Sequence, residues 1–99
     1  MTAAFSARAD VVTDQPQRYA NQLVAHLGRK VEFSTEDATS SARFGDGVGR
    51  IRVGDGVVIL IAEAPDRESL ARVQDILGRH LERFGRRREL AVNWQTVET

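Results

Sequence analysis

Two glycine-flanked reversals constrain this chain more than any other feature. Gly45-Asp46-Gly47 and Gly54-Asp55-Gly56 stand nine residues apart, and Asp-Gly between segments of alternating polarity is a strong short-range signal for a β-hairpin. The segments around them, residues 41–44, 48–53 and 57–63, are predicted to form a meander of three antiparallel strands. With Asp46-Gly47 and Asp55-Gly56 as the central turn residues, a register follows. Phe44 faces Gly49, Arg43 faces Arg50, Val53 faces Val58 and Ile51 faces Leu60. One face then collects Phe44, Ile51, Val53, Val58, Leu60 and Ala62, which need a cover of helices. The other collects Arg43, Arg50 and Arg52 beside Val57, Ile59 and Ile61. A shift of either turn by one residue is expected to scramble this grouping.

The flanking sequence supplies the cover. Residues 5–12 alternate Phe5, Ala7, Ala9 and Val11 against Ser6, Arg8 and Asp10, the period of a strand. Asp14 and Pro16 then open a helix, with Gln17 at the capping-box distance. Tyr19, Leu23 and Leu27 form its apolar stripe, and Gly28 is expected to close it as a left-handed cap. Val31 and Phe33 predict a short strand over residues 31–34, whereas 34–40 is polar and reads as a loop. A second helix starts at Pro65-Asp66 and runs to Phe84, with Gly85 after it. Its stripe is Leu70, Val73, Ile76, Leu77, Leu81 and Phe84. Residues 89–95 alternate Leu90, Val92 and Trp94 inward as a last strand. The order β-α-β-β-β-β-α-β predicts an α+β two-layer sandwich: a mostly antiparallel sheet with both helices on one face.

At 99 residues the chain has the length of a single domain, 1–99, with its core over about residues 5–95. The longest apolar run, residues 57–62, is far short of the ~20 residues of a membrane helix. Met1 to Asp10 carries charges where a signal peptide would be apolar, so a cytoplasmic protein is expected. There is no Cys, which removes thiolate chemistry. Fourteen basic and fourteen acidic residues cancel, and with no aromatic-rich basic stripe nucleic-acid binding is not expected. Thirteen of the basic residues are Arg, five of them between Arg79 and Arg88.

The face bearing Arg43, Arg50 and Arg52 admits three readings. The guanidinium stems lie over Val57, Ile59 and Ile61, with Glu63 or Asp10 as counter-charge; the face joins two copies of the chain as a homodimer; or the three Arg clamp a small anionic ligand, carboxylate or phosphate. His80 lies within the second helix's stripe, where a buried neutral ring bonded to a nearby carbonyl is the usual state. His26 sits on the flank of the first helix. Two histidines on different helices, without an HxxxH spacing, do not predict a metal, and no cofactor is expected. The glycines at 45, 47 and 49 lead into a strand rather than a helix, so they form no phosphate loop.

The run His80-Leu81-Glu82-Arg83-Phe84-Gly85, followed by Arg88-Glu89-Leu90 and Val92-Asn93-Trp94, resembles the signature of the bacterial domain-of-unknown-function-2218 family. Ala62-Glu63-Ala64 leading into Leu70-Ala71-Arg72-Val73, and Tyr19 through Leu23 to His26-Leu27-Gly28, fit its pattern too. The resemblance covers about residues 7–94. It marks His80 and Arg83 as signature positions and implies no catalytic residues. Members of the family also occur appended to siderophore-interacting proteins, so it implies an association with iron–siderophore metabolism and a siderophore-reductase neighbour.

The expectation from the sequence is therefore a small bacterial ligand- or partner-binding module without catalysis. Arg43, Arg50 and Arg52 would anchor an anion while Val57, Ile59 and Ile61 contact its apolar part. The alternative is a self-associating domain whose open sheet face is the dimer seam. An enzyme would require His80 paired with Glu63 or Glu82, and Glu82 faces away from His80 on a helix.

Overall fold

Strand alternation and helix periodicity resolve into one antiparallel sheet with both helices on a single face. The structure is a computed structural model, and it describes residues 5–88 and 90–97. The elements are β1 (Phe5–Val12), α1 (Pro16–Leu27), β2 (Ser34–Glu36), β3 (Thr39–Phe44), β4 (Gly47–Gly54), β5 (Val57–Ala64), α2 (Arg67–Phe84), one 3-10 turn (Arg86–Arg88) and β6 (Gln95–Val97). The sheet order is β2-β3-β4-β5-β1-β6, antiparallel at every pairing. The predicted order of elements is thus the observed one.

The core lies between the sheet and the helices. Ala7, Ala9 and Val11 of β1 bury with Val58, Leu60, Ala62 and Ala64 of β5, Ile51 of β4, and Ala42 and Phe44 of β3. Tyr19, Ala20, Leu23 and Leu27 come down from α1, and Leu70, Val73, Leu77 and Leu81 from α2. Leu23, Ile51, Leu60, Leu77 and Leu81 are fully buried. Each such side chain contributes roughly 1.5–3 kcal/mol by leaving water. The small sheet residues set how closely α2 approaches. A Cβ on Gly47 would stand 2.6 Å from a methyl of Val73, so glycine there is a packing requirement.

That requirement corrects the first hairpin. Its central residues are Gly45 and Asp46, with Gly45 at φ +62°, and Gly47 belongs to β4 opposite Phe44. A glycine with positive φ at the first central position is the II′ pattern, whose twist suits a two-residue hairpin. Arg43 therefore faces Val48 and Arg50 faces Ser41, not each other. The expected scrambling does not occur, because moving a turn by one residue moves the partner by two, which preserves the face. The second hairpin has the predicted register, Val53 opposite Val58 and Ile51 opposite Leu60.

Other boundaries differ for local reasons. Gln15, not Asp14, precedes α1, with no side-chain cap; the Thr13 hydroxyl instead accepts the Gln15 N–H at 3.1 Å. Gly28 stays right-handed at φ −62°, and the Leu27 carbonyl accepts the N–H groups of Lys30 and Val31. Asp66 caps α2 as expected, its carboxylate accepting the Ser69 N–H at 2.7 Å. The polar stretch 34–40 forms the β2–β3 hairpin, turning at Asp37 with φ 56°, and Ala38 accepts the Val53 N–H. The strand predicted over 31–34 begins only at Ser34.

Of the predicted last strand, Glu89 lies outside the described residues, and the sheet gains only Gln95–Val97. Leu90, Val92 and Trp94 pack against the core without a ladder. They form a strap along α2, in which Leu90 N–H donates to the Gly85 carbonyl and Val92 N–H donates to the Glu82 carboxylate. Their alternation is real, but it records a chain crossing a helix rather than a strand.

Candidate functional site

The open face of the sheet carries the residues singled out from the sequence. Arg43 on β3, Arg50 and Arg52 on β4, and Val57, Ile59 and Ile61 on β5 all point away from the helices, as the register dictates. Across the strands, Thr39, Arg52, Ile59 and Asp10 stand in one row; Ser41, Arg50, Ile61 and Arg8 stand in the next. Arg50 donates to Glu63 at 2.8 Å and to the Ser41 hydroxyl at 3.2 Å. Arg8 is paired with Asp10 at 2.8 Å, which raises its pKa further through the hydrogen bond and the charge. Glu63 and Asp10 thus neutralise two guanidiniums on this face, while Arg43 and Arg52 are exposed and make no ion pair among the described residues. Val57, Ile59 and Ile61 are half-covered, and Val12 beyond them is 78% exposed. The three Arg share a surface, but the central one is already engaged.

A second location was not legible as a site from sequence. The end of α1, the loop after it, the β3–β4 turn and one face of α2 enclose a cleft of about 560 Å³. Leu27, Val31, Phe44 and Ile76 form its apolar floor and walls. Every polar side chain lining it is basic: His26, Arg29, Lys30, Arg72 and His80. No Asp or Glu lines it among the described residues. Arg72 has a long contact to Glu68, 3.6 Å between two exposed side chains, and feels the charge of Asp66 beyond it; such surface pairs contribute little. Arg72, Ile76 and His80 recur at every fourth residue, so one stripe of α2 faces the cleft. That spacing was present in the sequence, but nothing there placed Lys30, Val31 or Phe44 opposite it.

The two histidines meet at this cleft. Their ring centroids are 4.9 Å apart, and His26 also meets the edge of Phe84 at 5.5 Å. His80 Nδ1 lies 2.6 Å from the Ile76 carbonyl oxygen. A carbonyl only accepts, so Nδ1 donates and Nε2 is left for other partners. The carbonyl bond expected for His80 is therefore present, with the ring half-buried. The His26 pKa lies below the ordinary histidine value; loss of hydration comes first as the cause, then the charges of His80, Arg29, Arg83 and Lys30. Arg83 is exposed and borders a neighbouring hollow of about 280 Å³ with Asp75, Arg79 and His80. No group of three or more His, Cys, Asp or Glu capable of holding a metal occurs among the described residues. No helix of the described residues is long and apolar enough to cross a membrane.

These features define a small α+β sandwich with one open sheet face and one basic cleft at the helical end. The chain belongs to the DUF2218 family, described as uncharacterised proteins conserved in bacteria, whose pattern matches residues 8–95. It is similar to the protein PA4090 from Pseudomonas aeruginosa, whose NMR structure superposes with a TM-score of 0.79 at 30% identity, over 96% of this chain and 99% of that one. No curated protein matches. Much of the stretch that carried the resemblance has a structural role. Glu82 and Gly85 anchor the strap and Trp94 lies over α2, while His26, Leu27, Arg72 and His80, also among the residues that carried the resemblance, line the cleft.

Proposed function

We propose that this protein is a non-enzymatic small-molecule binding module, and that its ligand occupies the cleft between the end of α1 and α2 rather than the open sheet face. One observation carries the reading: the cleft is concave, apolar-floored and within the roughly 300–1,000 Å³ range of small-ligand sites. The open face is flatter in kind, and its central Arg50 is held by Glu63 and Ser41. Binding rather than catalysis fits the surroundings of His26 and His80. Within the cleft their neighbours are cations and apolar groups, and Asp75, which shares the adjoining hollow with His80, is paired with Arg79 at 2.7 Å.

The test is a melting-temperature panel of small carboxylates, phosphate esters and ferric siderophores, the last because of the family's siderophore association. A binder at a hundredfold excess over Kd adds about 2.7 kcal/mol. Stabilisation should persist in Arg52→Gln on the open face and disappear in Val31→Trp, which fills the cleft. Stabilisation lost in the first and kept in the second would return the site to Arg43, Arg50 and Arg52.

A second reading is favoured by the apolar strip of Val12, Val57, Ile59 and Ile61. Two copies of the chain meeting through this face would cover it in an isologous contact. Sedimentation of the wild type and of Ile59→Asp decides it: a wild-type dimer that the variant dissociates supports the seam, and a monomer in both removes it.

A further inference from the structure

Resting on the reading that the cleft is the binding site, we infer that its ligand is an organic carboxylate with a compact apolar body, the charge lying between Arg72 and Lys30 and the body on Leu27, Val31, Phe44 and Ile76. Both helical walls of the cleft carry cationic and apolar groups together. Arg72 and His80 stand on α2, one turn either side of Ile76, while Arg29 and Lys30 follow the last turn of α1 across from them. A ligand in between meets positive charge from both walls. Arg29 and Lys30 make no ion pair among the described residues, and Arg72 is held by a long contact to Glu68 and the more distant charge of Asp66. The open face differs, since its ion pairs already satisfy Arg8 and Arg50.

Such a ring of cations is unfavourable unless something offsets it. His26 loses its proton more readily than usual, first through lost hydration and then through these charges. With Nδ1 donating to the Ile76 carbonyl, His80 Nε2 accepts when the ring is neutral and donates only when it is protonated, so the guanidinium and the ammonium carry the recognition. Charge-assisted hydrogen bonds from a guanidinium and an ammonium to one carboxylate are the strongest contacts these side chains form. Phe44 and Ile76 supply the apolar complement. A neutral ligand of the same shape would gain that contact and leave the cations unanswered; a cationic one would be repelled.

The experiment uses three probes of one shape, naphthoate, naphthamide and naphthylmethylammonium, titrated into the full chain at neutral pH and followed by proton–nitrogen correlation NMR. Naphthoate is expected to move the amide signals of Lys30, Val31, Gly45 and Ile76 and to bind at least about tenfold more tightly than naphthamide, with no binding of the ammonium. Lys30→Gln combined with Arg72→Gln should abolish that preference while naphthamide still binds, its unchanged signal dispersion reporting an intact fold. Equal affinity of naphthoate and naphthamide at these residues overturns the carboxylate inference and leaves the cleft standing as a site. No movement at the cleft with any probe, or movement confined to Arg43 and Arg52, overturns the cleft reading and the inference with it.

Discussion

The rings of His26, in the last turn of α1, and His80, in the second half of α2, stand 4.9 Å apart with their planes inclined at 43°. They are 54 positions apart in the chain, yet they join the two helices at the mouth of the basic cleft. This pair gives the fold a pH response.

In the unfolded chain His26 titrates near the ordinary value of 6.5, and in the folded chain it titrates lower. Between those two values the unfolded chain holds the extra proton, so stability is retained above this window and lost as pH falls through it. Urea unfolding of the wild type and of His26→Gln should therefore give a difference that moves against the wild type between about pH 7.5 and 5. A difference that stays constant would show that neither lost hydration nor the charges of His80, Arg29, Arg83 and Lys30 lower the pKa of this ring.

Leu60 and Ile59 are neighbours in β5 with opposite fates. Leu60 is fully buried beneath the helices, and Ile59 faces outward between Arg52 and Asp10. Leu60→Ala should cost about 2–5 kcal/mol through lost transfer and cavity terms. Ile59→Ala should cost less than about 1.5 kcal/mol, because much of its surface is already in water. Similar losses in urea unfolding would contradict the assignment of faces.

Arg50 and Glu63 should contribute only about 0.2–1 kcal/mol in a double-mutant cycle, as their side chains are 40% and 31% exposed. The coupling should shrink in high salt. Exchanging the two residues should keep most of it. A coupling above 2 kcal/mol, set against that ~1 kcal/mol ceiling, would mean that the open face is covered in solution.

A Cβ on Gly78 would stand 3.1 Å from the Trp94 indole nitrogen and 3.4 Å from a Val92 methyl. Gly78→Ala gains up to about 1 kcal/mol of helix propensity, which offsets a small outward movement of the strap. Gly78→Val has no such compensation and should destabilise by about 1–3 kcal/mol while shifting Trp94 emission to the red. Unchanged emission would place the strap elsewhere.

The sequence alone determined the element order, the two-layer architecture and the side of the sheet on which the residues of β1, β4 and β5 stand. Those properties follow from local rules: a period of two for strands, three to four for helices, and glycine at reversals. Face membership survived even a misplaced first turn, since a one-residue turn shift moves the pairing by two. Only the tertiary structure decided where Gly47 sits, because its reason is Val73 on a helix twenty-six positions away. The hairpin hidden in residues 34–40 also escaped local reading, for its polar strands carry no apolar period and are held by pairing to β3. The cleft belongs to the same class. Arg72, Ile76 and His80 are periodic in the sequence, but His26, Lys30, Val31 and Phe44 reach them only through the packing of α1 against α2 and the sheet, and no local rule encodes which distant segments will share a wall.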